Sequence, residues 1–137
     1  MLRRLLIPLA ALAFVAGCGS ESPAEPPKAA DGADLAACSD GICEVSAKAG
    51  GKITLPAQTR VESVTVRSVD ADTVALVATG IGTRQGGTCS GKCEASGTGK
   101  DFQAKLWAGS GLTYNNLSVT LLGVGDGAAV LRIKPAA

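Results

Sequence analysis

Histidine is absent from this chain of 137 residues. With it goes the side chain that most often serves as general base near neutral pH, or that activates a serine or cysteine nucleophile. Asp and Glu are scattered over turn-like and polar-strand positions rather than paired, so the chain is not expected to be an enzyme. Aromatic residues are nearly as scarce. Phe14, Phe102, Trp107 and Tyr114 are the four, and Phe14 lies in an N-terminal head. Any core must therefore be built from Val, Leu, Ile and Ala, and stacking platforms for sugars or single-stranded nucleic acid are few. An excess of charge of one sign is missing too. The chain holds 13 basic and 12 acidic residues, and without Arg3 and Arg4 of the head 11 basic ones remain. No basic cluster of the kind that neutralises phosphates occurs, which argues against nucleic acid as a partner.

What is present begins with the head. Arg3 and Arg4 precede an apolar run from Leu5 to Ala16 that is too short to span a bilayer, followed by small residues and a cysteine. This is the order of a secretory signal. Its end, Val15-Ala16-Gly17-Cys18, resembles the lipobox of bacterial lipoproteins. The resemblance implies that residues 1–17 are a signal peptide, cut off just before a diacylglyceryl-modified Cys18 that becomes the new N-terminus. It also implies an extracytoplasmic location with the membrane as partner through the lipid anchor, since two or more acyl chains hold firmly where one does not. Beyond the head there is a general likeness to small exported β domains of high-GC bacteria, which adds no function.

From Cys18 to Ala37 the chain is rich in Ser, Glu, Pro, Ala, Lys, Asp and Gly, including Pro23, Pro26 and Pro27. It reads as a disordered tether. Residues 38–137 then alternate apolar and polar positions in short runs broken by Gly, Asp and Asn, and no helical period lasts three turns. Strands are expected near 42–47, 52–55, 61–68, 73–79, 92–96, 102–107, 117–124 and 128–134. The expected fold is all-β, a small eight-stranded sandwich or barrel. Two features repeat about fifty residues apart: Cys38-Ser39…Cys43-Glu44 is echoed by Cys89-Ser90…Cys93-Glu94, and Ser63-Val64-Thr65-Val66 by Ser118-Val119-Thr120-Leu121. They suggest two four-stranded units, 38–80 and 89–135, that bury their apolar faces against each other.

With Cys18 assigned to lipid, Cys38, Cys43, Cys89 and Cys93 remain, an even number in an exported chain, so disulfides are the default. Zinc is disfavoured by the spacings and the missing histidine, and no cofactor is expected. Of three connectivities, Cys38 with Cys43 and Cys89 with Cys93 is favoured because each repeat then carries its own closed turn. Chain entropy points the other way, since a loop of about six residues stabilises by roughly 2 kcal/mol and one of about fifty by roughly 4. Geometry must decide between them.

Three residues stand out as candidate contacts. If Phe102, Ala104 and Leu106 face inward, Trp107 faces outward with Gln103 and Lys105, either as a contact or as the cap of a sandwich end. Arg84 sits in the Gly-rich stretch from Gly80 to Ser90, which reads as a flexible linker. Tyr114 heads a Tyr-Asn-Asn turn and is a minor interface candidate. The expected function is an interaction or structural module of the cell envelope, with an envelope protein as partner. The alternative is a small-ligand binder that uses a groove between the repeats.

Overall fold

The computed structural model describes residues 27–136. Residues 1–17, expected to be a signal peptide, and Cys18 lie outside the described residues. The alternation in the sequence is realised as ten strands: β1 (Cys43–Lys48), β2 (Lys52–Thr54), β3 (Val61–Val69), β4 (Thr73–Gly80), β5 (Gly87–Ser90), β6 (Cys93–Thr98), β7 (Asp101–Trp107), β8 (Gly111–Tyr114), β9 (Leu117–Gly125) and β10 (Ala128–Pro135). They form two five-stranded antiparallel sheets, ordered β1-β10-β9-β8-β5 and β2-β3-β4-β7-β6. The fold is an all-β sandwich, as the alternation requires, with ten strands in place of eight.

Inward positions of both sheets make one apolar cluster. Val45, Val64, Val66, Val74, Leu76, Leu106, Leu112, Val119, Leu121, Leu131 and Ile133 are all buried within it. Its aromatic element is a stacked pair, Phe102 and Tyr114, with ring centroids 5.0 Å apart. The layer between the two sheets is thus filled mainly by aliphatic side chains.

The strand pairing has a two-fold pattern. β2-β3-β4 is a meander in the second sheet, and β8-β9-β10 is a meander in the first. β1 pairs with β10 of the other meander, while β7 pairs with β4, so each unit gives its first strand to the sheet of the other. The register follows the echoed letters. Ile53 faces Val64 and Leu112 faces Val119, while Val66 faces Leu76 and Leu121 faces Leu131. One residue later each meander bulges, at Arg67 and at Leu122. The strands that match in this pattern are β1–β4 and β7–β10. The second set begins at Asp101, later than Cys89, and the twin cysteine motifs are not counterparts: Cys43 opens β1, whereas Cys93 opens β6, a strand added beside β7.

Three further expectations change. Residues 27–37, read as the end of the tether, are folded in the structure. The Asp31 amide donates to the Glu44 carbonyl, the Ser46 amide donates to the Gly32 carbonyl, and the Asp31 carboxylate accepts from the Glu44 amide (2.9 Å), so this segment lies on the free edge of β1 much as β6 lies beside β7. A 3-10 turn, Leu35–Asp40, follows, with the Asp34 carboxylate accepting from the Ala36 amide at its start. Proline-rich composition does not reveal edge pairing of this kind. The Gly80–Ser90 linker contains a strand, β5, and the segment before Asn115 contains another, β8.

The structure decides the disulfide pairing. Cys38 bonds Cys43 and Cys89 bonds Cys93, with Cα–Cα separations of 4.9 and 6.2 Å. The short loops win over the more stabilising long ones because the two cysteine motifs sit in different parts of the sandwich.

Candidate functional site

The strands define two ends. Pro27, Lys28 and Ala29 share a hollow with Lys48, Gly125, Asp126 and Ala128, which marks the near end, where the described chain begins. The β3–β4 turn at Asp70 and the β9–β10 turn at Asp126 adjoin each other at the same end. The far end holds Gly80 at the close of β4, Lys100 before β7, Tyr114 at the close of β8 and the turns around Arg60 and Asn115.

The far end is locked by a polar network. Tyr114 donates its hydroxyl hydrogen to the Lys100 carbonyl (2.7 Å), and its oxygen lies 3.1 Å from Gln85 Oε1. Gln85 Oε1 also accepts from Asn115 Nδ2 (2.7 Å), and Gln85 Nε2 donates to the Gly82 carbonyl (2.9 Å). Asn115 Nδ2 reaches the Arg60 carbonyl (2.7 Å), while Asn115 Oδ1 accepts from the Gly86 amide (3.1 Å). The Ile81 amide donates to the Arg60 carbonyl and the Gly80 amide to that of Lys100. Arg60 and Asn115 occupy the left-handed region at φ 56° and 50°, a conformation Asn tolerates better than most residues and Arg holds here through these bonds. No buried side-chain N or O atom among the described residues lacks a hydrogen-bond partner. The segment read as a flexible linker is consequently fixed from Gly80 to Ser90.

This network bears on two of the candidate contacts. Tyr114 is 2% exposed and stacks on Phe102, so it belongs to the core rather than to a contact surface. Burial, and to a lesser extent the Asp101 carboxylate, hold its phenol above the ordinary value. Arg84 is exposed, and its carbonyl accepts a hydrogen bond from the Arg60 guanidinium, which brings that guanidinium to the Arg84 backbone. Lys100 joins them through the backbone bonds to Gly80 and Tyr114. Ile81, 40% exposed, follows Gly80, and its amide bond to the Arg60 carbonyl sets it beside that segment. The nearest acids in sequence are Glu62 and Asp101, and the Asp101 carboxylate accepts from the Thr79 hydroxyl (3.0 Å). Among the described residues the ion pair formed is Glu44 with Arg132 on the face of the first sheet, and Arg60, Arg84 and Lys100 have none.

Trp107 stands at the other end, on the outer face of the second sheet opposite Thr73. It is half-buried, with Lys92 Nζ 4.7 Å and Lys105 Nζ 5.0 Å from its ring centroid. Both ammonium groups occupy the ring as cation–π partners, so the aromatic surface is engaged within the molecule. Beside it a shallow hollow of about 390 Å³ runs over Ala75 and Val77, walled by Arg67, Glu94, Gln103 and Lys105. The structure thus separates Trp107 from Arg84. It also adds Arg60, Gln85, Lys100 and Asn115, which sequence reasoning missed because they converge from distant segments. The Asn115-Asn116 turn signal was the one trace of them in the sequence.

The four domain cysteines are consumed in disulfides, and no cluster of three or more metal-ligating side chains occurs among the described residues. The fold and this site together define a class: a disulfide-stapled antiparallel β-sandwich with a fixed, cation-bearing loop end. No family model, curated protein or solved structure matches the chain.

Proposed function

We propose that this chain is an extracytoplasmic lipoprotein, anchored to the cell membrane through Cys18, whose sandwich serves as an interaction or structural module of the envelope. One observation supports the interaction role most. A set of loops from four separate segments is pinned by side-chain hydrogen bonds at the end of the sandwich remote from Pro27. Binding surfaces are commonly made of loops positioned by a rigid scaffold, and ordering them before binding lowers the entropy cost of association.

The folded segment 27–37 shortens the tether. Only the nine residues from Cys18 to Pro26 remain for it. The near end of the sandwich, where the described chain begins, then faces the membrane and the far end faces away from it.

The anchor is tested by replacing Cys18 with Ser in the native host and fractionating the cells. Cys18→Ser is expected to abolish acyl labelling and to release the protein from the membrane. Acyl labelling that persists in the variant would refute the lipoprotein reading.

A further inference from the structure

The far end carries a chemistry of its own. Arg60 and Lys100 come from segments whose backbones bond Ile81 and Gly80, and the Arg60 guanidinium bonds the carbonyl of Arg84 in a third segment. Cations without a carboxylate partner, held on a fixed frame, form a site for oxyanions, and arginine presents a planar fork that matches a carboxylate. Ile81, which is exposed, adds an apolar side chain next to Gly80, and its amide bonds the Arg60 carbonyl. An exposed isoleucine alone is ordinary, but one on a hydrogen-bonded loop whose adjoining segments carry three cations without an ion pair has the composition of a small protein contact with a polar rim.

We propose that this end docks an acidic segment of a partner protein, one in which an apolar side chain lies between carboxylates. The apolar side chain meets Ile81, and the carboxylates are taken by Arg60, Arg84 and Lys100. This deepens the interaction reading given above by naming its surface and the chemistry of its partner. The contact does not need the lipid, so the two ideas fail separately.

The probe is a fluorescein-labelled peptide in which Glu residues flank one Leu, titrated with the full-length protein and followed by anisotropy. Saturable binding that weakens at high salt and on changing the peptide Leu to Ala is expected. Arg84→Gln with Lys100→Gln should lower affinity about tenfold, since both side chains are exposed and neither is in the pinning network. Ile81→Ser should lower it independently. Lys48→Gln with Lys52→Gln removes the same charge near the other end and should leave affinity within about twofold. Equal losses in the two double variants would overturn the proposal, because net charge would then explain the binding. So would the absence of binding, or a clear preference for inorganic polyphosphate over the peptide, which would assign the site to a phosphate polymer. If Cys18→Ser frees the protein from the membrane and the peptide still fails to bind, the anchor stands and the docking surface falls.

Discussion

Tyr114 shows how one side chain holds two systems at once. Its ring is half of the aromatic stack in the core, and its hydroxyl is a member of the network that fixes the far end. Tyr114→Phe keeps the stack and deletes the hydroxyl. The groups left behind stay satisfied, because the Lys100 carbonyl still accepts from the Gly80 amide and Gln85 Oε1 from Asn115. The loss should therefore be about 1 kcal/mol, without the larger penalty of an orphaned buried group, and urea denaturation measures it. The same residue gives a pH dependence. Its phenol is raised above the ordinary 10.0, chiefly by burial and then by Asp101, so the folded state resists forming the phenolate. The stabilisation this provides is complete below about pH 10, the unfolded value, and is lost as pH rises through the folded value. Denaturation midpoints of the wild type should fall over that alkaline range with a component that Tyr114→Phe lacks. Parallel curves for the two proteins would refute it.

At the scale of the element, the two disulfides do different work. Cys38–Cys43 closes a turn at the start of β1 and is buried, with Cys38 fully shielded. Cys89–Cys93 joins β5 of one sheet to β6 of the other and is half-exposed at both ends. A thiolate must reach the sulfur it attacks, so access ranks their reduction. Mild reductant followed by alkylation and peptide mass analysis should label Cys89 and Cys93 well before Cys38 and Cys43. Labelling in the reverse order would mean that the β1 edge opens more readily than the β5–β6 corner. The strands themselves were legible to the degree that they alternate. All eight expected ones are present, each within a few residues, because a half-buried strand writes its faces into the sequence. β5 was not legible, since Gly87-Thr88-Cys89-Ser90 has no large apolar residue and is a strand only by pairing with β8. Its glycine is needed there: a Cβ on Gly87 would lie 2.7 Å from the Phe102 ring. β8 offers just Leu112 and Tyr114 to an alternation and merges with the neighbouring glycines. Of the far-end site, Arg84 could be singled out, but Arg60 and Lys100 reach it only through the sandwich topology, which one strand's pattern does not contain.

At the scale of the molecule, the exchange of first strands makes the two units inseparable. The β2-β3-β4 meander is completed by β7, and the β8-β9-β10 meander by β1, so neither half of the chain contains a whole sheet. Each sheet also buries the inner face of the other in one continuous core. Unfolding should then be a single cooperative transition, with calorimetric and van't Hoff enthalpies equal. A sharper test perturbs one sheet and reads both. Val45 on β1 is fully buried, pairs with Leu131 in the first sheet and belongs to the shared core. Val45→Ala should cost about 2 kcal/mol. If the sheets open only together, the amides of Val64 in the second sheet and Val119 in the first should lose the same protection against hydrogen exchange, equal to the global loss. A loss confined to Val119 would show that the first sheet opens alone, and that strand exchange ties the units in topology without tying them in energy.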